Sequence, residues 1–182
     1  MRTANLDDVP ELNQLIDQAV RLLSVGYYTP QQIDSSLQYV FGVDTQLIAD
    51  ETYYVAEMDG HVVGCGGWSK RNTLYGGDQS KEEQDPLLDP QVEPGRIRAF
   101  FVHPQWARRG IGRAIIEVCE QAAYRAGFRR LELASTLPGE PLYKALGYEV
   151  GEHFAITFPD GEQLPLIRMD KTLNADPSNL PA

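Results

Sequence analysis

The stretch from Arg96 to Ile116 limits the fold of this chain more than any other segment. It reads RIRAFFVHPQWARRGIGRAII: an apolar strand, a turn with glycines and arginines, and the start of a helix. Apolar residues recur along one face of that helix at Ile111, Ile115, Val118 and Ala122. Gly127 ends the helix and another apolar strand starts at Arg130. A strand, a helix and a strand in a unit of this size predict two parallel strands joined by a crossover.

The other apolar patterns add elements on either side of this unit. Before it they predict a short strand near Arg2, a helix from Asp7 to Gly26, a second helix from Pro30, and two strands joined by an Asp59-Gly60 turn. After it they predict a short helix over 138–146 and a final pair of strands. The expected order is β-α-α-β-β-β-α-β-α-β-β. This is an α/β fold (an α+β mixed sheet) with helices on its faces and one parallel strand pair.

Two segments depart from a regular strand pattern. Gly64, Gly66 and Gly67 lie in the strand after the first turn, where they indicate a bulge or a close approach of backbone. The segment from Ser69 to Gly95 is polar, rich in glycine, proline and charge, and longer than an ordinary hairpin loop. We interpret it as a surface loop, with a functional lid as the alternative.

Length and charge set further limits. A single domain over 1–173 suits a chain of 182 residues, and 174–182, NADPSNLPA, is expected to be a disordered tail. The net charge of -10 argues against nucleic-acid binding and means that an anion needs a locally positive site. No signal core or membrane-length apolar run is present, so we expect a cytoplasmic protein without membrane contacts. Cys65, Cys119 and the histidines show no disulfide framework or metal-ligand spacing, so no metal is expected.

The turn before the helix has the features of an anion site. A helix start carries free backbone N–H groups and a partial positive charge, and glycine lets a ligand approach the backbone closely. Arg108, Arg109 and Arg113 add positive charge there. A tight turn with exposed arginines is the alternative. Ile115 stands where a dinucleotide GxGxxG motif has its third glycine, and the GK[ST] of a P-loop is missing, so neither motif is present.

These residues resemble the GCN5-related N-acetyltransferases. That family carries Q/R-x-x-G-x-G/A between a strand ending in V-x-P and a long helix, and FFVHPQWARRGIGRAII has the strand end, the Gly110-Ile111-Gly112 core and the helix. Ala107 occupies the place of the usual Gln or Arg; a shifted register would use Arg109, Gly112 and Ala114 instead. LYKALGY, ending at Tyr148, is similar to the family's FYxxLGF segment.

The resemblance implies an enzyme that transfers an acetyl group from acetyl-CoA to a primary amine of a small molecule or peptide, by direct attack in a ternary complex. It implies Tyr143 as general acid, against the alternative of a half-buried structural aromatic. Ser135, or else Thr136, would supply a polar contact. The expected cofactor-binding residues are Phe101, Val102, Arg108, Arg109, Gly110, Ile111, Gly112, Arg113 and Ser135.

Several roles stay open at this level. Glu57, His103 and Glu132 are candidates for the general base by residue type alone. Arg96 and Arg98 bind a substrate carboxylate or face water. Trp68 and Tyr75 line an acceptor pocket, or Trp68 anchors the core. A non-catalytic acyl-CoA-binding sensor or complex subunit is the alternative function, and exposed strand edges allow a homodimer.

Overall fold

The computed structural model describes residues 1–81 and 84–174. Within these ranges the chain forms one seven-stranded sheet with helices on both faces. The strands are β1 (Arg2–Thr3), β2 (Tyr53–Met58), β3 (His61–Ser69), β4 (Gly95–Val102), β5 (Arg130–Thr136), β6 (Glu149–Thr157) and β7 (Gln163–Thr172). The helices are α1 (Val9–Leu23), α2 (Pro30–Tyr39), α3 (Thr45–Ala49), α4 (Ile111–Arg125) and α5 (Glu140–Ala145). The tail predicted to be disordered lies, from 175 onward, outside these ranges.

The strand order across the sheet is β1-β2-β3-β4-β5-β7-β6. β4 and β5 are parallel, and every other neighbouring pair is antiparallel over the part of the chain that the structure describes. This confirms the mixed sheet and the parallel pair that the strand–helix–strand pattern predicts. The order of strands and α-helices is also as expected, with one addition among the described residues: the short helix α3, which Asp44 caps by accepting a hydrogen bond from the backbone N–H of Gln46.

The helices cover the two faces of the sheet in pairs. α1 and α2 pack on one face, and α4 and α5 pack on the other. Leu12, Ile16 and Ile115 are among the fully buried residues, and each such side chain contributes about 1.5–3 kcal/mol through removal from water. Thr29 caps α2 and Pro30 is its first residue, as the Thr-Pro pair predicts. Among the described helices, none has the combination of length and hydropathy that a bilayer-spanning helix needs.

The glycines of β3 allow α4 and β4 to approach its backbone. A Cβ at Gly66 would lie 2.2 Å from Cδ2 of Phe100, and a Cβ at Gly64 would lie 2.7 Å from Cγ2 of Ile111. Side chains at these positions would therefore displace a core ring and the start of α4. The register between β3 and β4 also shifts between Cys65 and Gly67. The close approach is confirmed, and at this shift the extra residue lies in β4 rather than in β3.

β4 and β5 pair only near their beginnings. The first two residues of β4 are aligned with β5, and the register recorded between these strands stops there. Further along β4, two residues, Ala99 and Phe100, lie opposite Gly66 alone, and Ala99 has a φ of 50°. Such a bulge bends a strand and increases its twist. The two strands consequently diverge and leave a gap in the sheet.

The long segment between β3 and β4 is folded back onto the domain. A bridge joins Arg71 to Leu87, and Leu88 is buried. The backbone N–H of Gly77 donates to the carbonyl of Val40 at 2.8 Å. The described part of this segment is therefore a wall anchored to the chain that follows α2.

Candidate active site

The gap between β4 and β5 opens into a cleft with a volume of about 690 Å³. Its sides include residues 97–102 of β4 and, from β5, Ala134 and Thr136. Phe100 packs with the core beneath α4 and α5, whereas Phe101 packs with the core beneath α1 and α2. The cleft therefore passes through the sheet and has lining residues on both faces.

At the α4 face, the turn before the helix presents unpaired backbone N–H groups. Gly110 is the N-cap residue with a φ of 84°, and no side chain caps the helix. Within the described ranges, none of the N–H groups of residues 108–113 has a hydrogen-bond acceptor in the protein. Glycine adopts this left-handed conformation without the strain that a side chain brings. The free N–H groups and the helix dipole together form a site suited to an anion such as a phosphate.

Three exposed arginines surround this turn. Arg108 and Arg113 line the cleft. Arg109 instead lies over the ring of Trp106, with 4.9 Å between its guanidinium carbon and the ring centroid. Arg113 is 4.0 Å from Glu117 across an exposed helix face, where an ion pair contributes little. The turn thus has a locally positive potential on a chain whose net charge is -10.

Helix α5 brings Tyr143 to the cleft, although its side chain is only 8% exposed. Its ring packs edge-on against Phe100 and Tyr148, at centroid distances of 6.3 Å and 5.6 Å. Its hydroxyl makes no hydrogen bond with the described residues and, unlike that of Tyr148, is not completely buried. Burial, and to a lesser degree the nearby Cys119, raises the pKa of Tyr143 above its ordinary value. The hydroxyl therefore stays protonated at neutral and moderately alkaline pH.

The cleft brings together most of the site residues predicted from sequence. Those that line it are Phe101, Val102, Arg108, Gly110, Gly112, Arg113 and Tyr143. The side chain of Ile111 does not; it packs against Gly64 on β3. Arg109, stacked on Trp106, does not line it either.

Ser135 lies behind the lining of the cleft. Its side chain is buried, and its hydroxyl donates a hydrogen bond to the carbonyl of Thr136 at 2.8 Å. Ser135 is not among the residues that line the cleft. Thr136, the alternative at this point in β5, is the residue that lines it.

The three candidates for the general base lie outside the cleft. Glu57 forms an ion pair with Arg2 at 2.8 Å on the surface. Glu132 accepts hydrogen bonds from two arginines, and His103 accepts one through Nδ1 from the turn that follows it. None of the three lines the cleft, and no carboxylate or imidazole appears among its described lining residues.

Arg96 and Arg98 are buried, so the interpretation that they face water is wrong. Arg96 bonds to a carboxylate of β5 at 2.5 Å. Arg98 bonds to Asp44 at 2.9 Å and to the carbonyls of Thr73 and Gly76 at 2.8 Å and 2.6 Å. Burial lowers the pKa of Arg98, and the Asp44 carboxylate opposes that change. The positive charge that Arg98 brings to the cleft is therefore neutralised by Asp44.

The α1 and α2 face of the cleft is made of residues that sequence reasoning largely missed. They are Leu23, Tyr27, Phe41 and Leu74, together with Tyr75, which was a candidate. Trp68, the other candidate, is buried in the core. The lining residues come from three distant parts of the chain. No local pattern marks them, because only the fold brings them together.

The fold and the site together are typical of one class of protein. Its features are a mixed sheet with a gap between two strands, a helix that begins at a glycine beside that gap, and an anion site where the two meet. The chain belongs to the GNAT acetyltransferases, since the family model described as acetyltransferase (GNAT) domain matches residues 49–150.

Individual proteins show the same relationship. The chain is 27% identical over 171 residues to an N-alpha-acetyltransferase of Sulfurisphaera tokodaii, an alignment that covers 92% of this chain and 90% of that protein. Its fold is similar to that of a GCN5-related N-acetyltransferase from Rhodopseudomonas palustris, with a TM-score of 0.69, 18% identity and 94% of each chain covered. It is also similar to YncA from Salmonella typhimurium, solved with its cofactor acetyl-CoA, with a TM-score of 0.60, 17% identity, and 96% and 94% of the two chains covered.

Proposed function

We propose that this chain is an acetyl-CoA-dependent N-acetyltransferase whose single domain spans 1–173. It transfers the acetyl group to a primary amine of a small molecule or peptide by direct attack in a ternary complex. The observation that carries this proposal is the run of unpaired N–H groups at 108–113, beside a cleft that passes through the sheet. Family membership, the N-alpha-acetyltransferase relative and the acetyl-CoA complex of YncA support it.

The turn before α4 binds the diphosphate of the donor. The backbone N–H groups of Arg108, Arg109, Gly110, Ile111, Gly112 and Arg113 act as donors, and the cleft-lining arginines add charge. The open edge of β4, where pairing with β5 stops, takes the pantetheine arm as an added strand. A backbone N–H at Phe101 or Val102 polarises the acetyl carbonyl, a contact worth about 3 kcal/mol in comparable sites. Thr136 takes the polar role expected of Ser135.

Tyr143 is the proton donor. Acetyl-CoA supplies an activated thioester, whose departing thiolate needs a hydrogen-bond donor and then a proton. A thiol titrates near ~8.5 and a phenol near ~10. Because burial raises the pKa of Tyr143 further, its hydroxyl is protonated and donates a hydrogen bond to the forming thiolate, although complete proton transfer costs more than it would from a free phenol. It stabilises the developing charge within the cleft.

A covalent acyl-cysteine route has no support from the two cysteines. Cys65 and Cys119 are both completely buried, and neither lines the cleft. Burial raises the pKa of Cys65 to about 12, and it also raises the pKa of Cys119. A thiol that is not ionised and not accessible is a poor nucleophile. Direct attack by the amine is the simpler path.

A non-catalytic acyl-CoA-binding sensor or complex subunit is the second candidate. Ala107 favours it, because Ala107 lines the cleft where the family motif has a longer polar side chain. In this case the domain would bind the donor and leave the thioester intact.

The deciding experiment incubates the protein with acetyl-CoA and a panel of primary amines, and follows free thiol and product mass. The proposal predicts thiol release that depends on the amine, with an acetylated product. A thermal shift with acetyl-CoA but not with ATP, accompanied by no amine-dependent thiol release, would favour the sensor. No shift with acetyl-CoA would contradict both candidates.

A further inference from the structure

The cleft has an apolar half on the face covered by α1 and α2. We call this the acceptor half-cleft; it consists of Leu23, Tyr27, Phe41, Leu74 and Tyr75. The ring of Phe41 packs edge-on against that of Phe101, with centroids 5.9 Å apart, which joins the half-cleft to the bulged strand β4. Tyr27 and Tyr75 are 52% and 39% exposed, so apolar ring surface is accessible there. Exposed aromatic surface beside a cleft is typical of a binding site.

The charges of the cleft are all of one sign among the described residues that line it. They are Arg108 and Arg113, together with Arg98, whose charge is neutralised by Asp44 outside the lining; no carboxylate or imidazole is among them. The chain as a whole has 26 acidic residues, and none of those that the structure describes lines the cleft. A ligand with a second ammonium group would find no counter-charge in the half-cleft, and its desolvation would be uncompensated.

A buried ionic network holds one wall of the half-cleft. Arg98 donates to the carbonyls of Thr73 and Gly76, the residues on either side of Leu74 and Tyr75. Arg98 also binds Asp44, which in turn binds a lysine of the same wall at 2.5 Å. The backbone of the wall is therefore fixed before any ligand arrives. A preformed pocket selects its ligand by shape and polarity.

We propose, building on the N-acetyltransferase function above, that the acceptor is a primary amine borne by an aromatic or aliphatic group that carries no second positive charge. The acceptor half-cleft holds that group and directs the amine through the gap between β4 and β5. Polyamines and other polycations are excluded.

The absence of a carboxylate or imidazole among the described lining residues also sets the pH dependence. With no such group to take a proton before the attack, the reactive neutral amine is drawn from solution, and the proton that its nitrogen loses on forming the amide replaces the one that Tyr143 gives to the departing thiolate. The value of kcat/KM then rises about tenfold per pH unit below the amine's own pKa. For two acceptor amines of different basicity, the rising part of the pH profile of kcat/KM should be displaced along the pH axis by the difference between their pKa values.

A matched pair of amines tests the proposal. Hexylamine and hexamethylenediamine have the same chain length and differ by a second ammonium group, and phenylethylamine adds an aromatic probe. We expect kcat/KM for hexylamine and phenylethylamine to exceed that for the diamine by about tenfold or more. Equal or greater efficiency with the diamine would overturn the acceptor assignment while leaving the N-acetyltransferase function intact. Failure of every amine would instead remove the proposed function on which the inference rests.

Two variants in the same long segment separate the pocket from general effects. Tyr75→Ala removes ring surface from the half-cleft, and Val92→Ala removes a side chain that is 72% exposed and does not line the cleft. We expect Tyr75→Ala to raise the KM for phenylethylamine about tenfold with an unchanged KM for acetyl-CoA, and Val92→Ala to change neither. An unchanged amine KM in Tyr75→Ala, or equal effects of both variants, would overturn the pocket.

Discussion

Replacing Tyr143 by Phe removes one oxygen atom and leaves the ring in place. The edge-on contacts with Phe100 and Tyr148 depend on the ring, and the hydroxyl has no hydrogen-bond partner among the described residues. We therefore expect the free energy of unfolding to change by less than about 0.5 kcal/mol. The affinity for acetyl-CoA should change by no more than about twofold, because the diphosphate site lies on other elements.

The expected loss of turnover follows from the acid's chemistry. A general acid contributes about 10²–10⁴ to a rate. Burial raises the pKa of Tyr143, so its driving force for proton transfer is reduced, and a thiolate is a fairly good leaving group without help. Both effects favour the lower end of that range. We expect kcat to fall about 100-fold, equivalent to ~2.7 kcal/mol of transition-state stabilisation.

Tyr148→Phe is the matched control, since it makes the same change in the adjacent ring. The hydroxyl of Tyr148 is buried and has no hydrogen-bond partner among the described residues, and Tyr148 does not line the cleft. This variant should keep its turnover and gain up to about 1 kcal/mol of stability, because an unsatisfied polar group is removed. Thiol-release kinetics, acetyl-CoA titration and urea unfolding of both variants complete the comparison. Wild-type turnover in Tyr143→Phe would refute the acid role, as would a loss matched by Tyr148→Phe.

Three other predictions concern stability. Gly66→Ala should cost more than about 2 kcal/mol in urea unfolding, because its Cβ would lie 2.2 Å from the Phe100 ring; a cost under about 0.5 kcal/mol would contradict the packing described for β3. The hydrogen bond from Arg71 lowers the pKa of Asp50 in the folded protein. The stability that this ion pair contributes is therefore fully present above the pKa of an unfolded aspartate, near ~3.9, and is lost as the pH falls. Asp50→Asn should flatten the fall in unfolding free energy at acid pH, and an unchanged fall would argue against a contribution from the Arg71–Asp50 pair. Burial raises the pKa of Tyr28 to about 12. The stability linked to this shift is therefore present below ~10, the pKa of an unfolded tyrosine, and is lost as the pH rises toward 12. In thermal unfolding, the melting temperature of Tyr28→Phe should fall less steeply with alkaline pH than that of the wild type.

Local sequence patterns predicted much of the fold. The helix stripe that begins at Ile111, the Asp59-Gly60 turn and the Thr29-Pro30 start of α2 are each decided by neighbours along the chain. For these elements the local sequence pattern is therefore sufficient to predict the structure. Helix α3 was missed because five residues are too few to show a helical period.

The site was predicted less completely, for a physical reason. The turn before α4 is local, so its glycines and arginines are visible in the sequence. The burial of Arg98 against Asp44 and the grouping of Phe41 with Tyr75 depend on contacts between distant segments. The sequence leaves Ser135 and Thr136 open as alternatives, and only the folded strand shows that Thr136 lines the cleft while Ser135 is buried.

Backbone amide resonances give the most direct test of the central claim, that the turn before α4 binds the diphosphate of coenzyme A. In an NMR titration of the labelled protein with coenzyme A, the N–H signals of Gly110, Ile111 and Gly112 should shift strongly and saturate together. The N–H signals of the distant Asp160-Gly161 turn should stay in place. Saturable binding that leaves the Gly110–Gly112 amides unmoved would contradict the account.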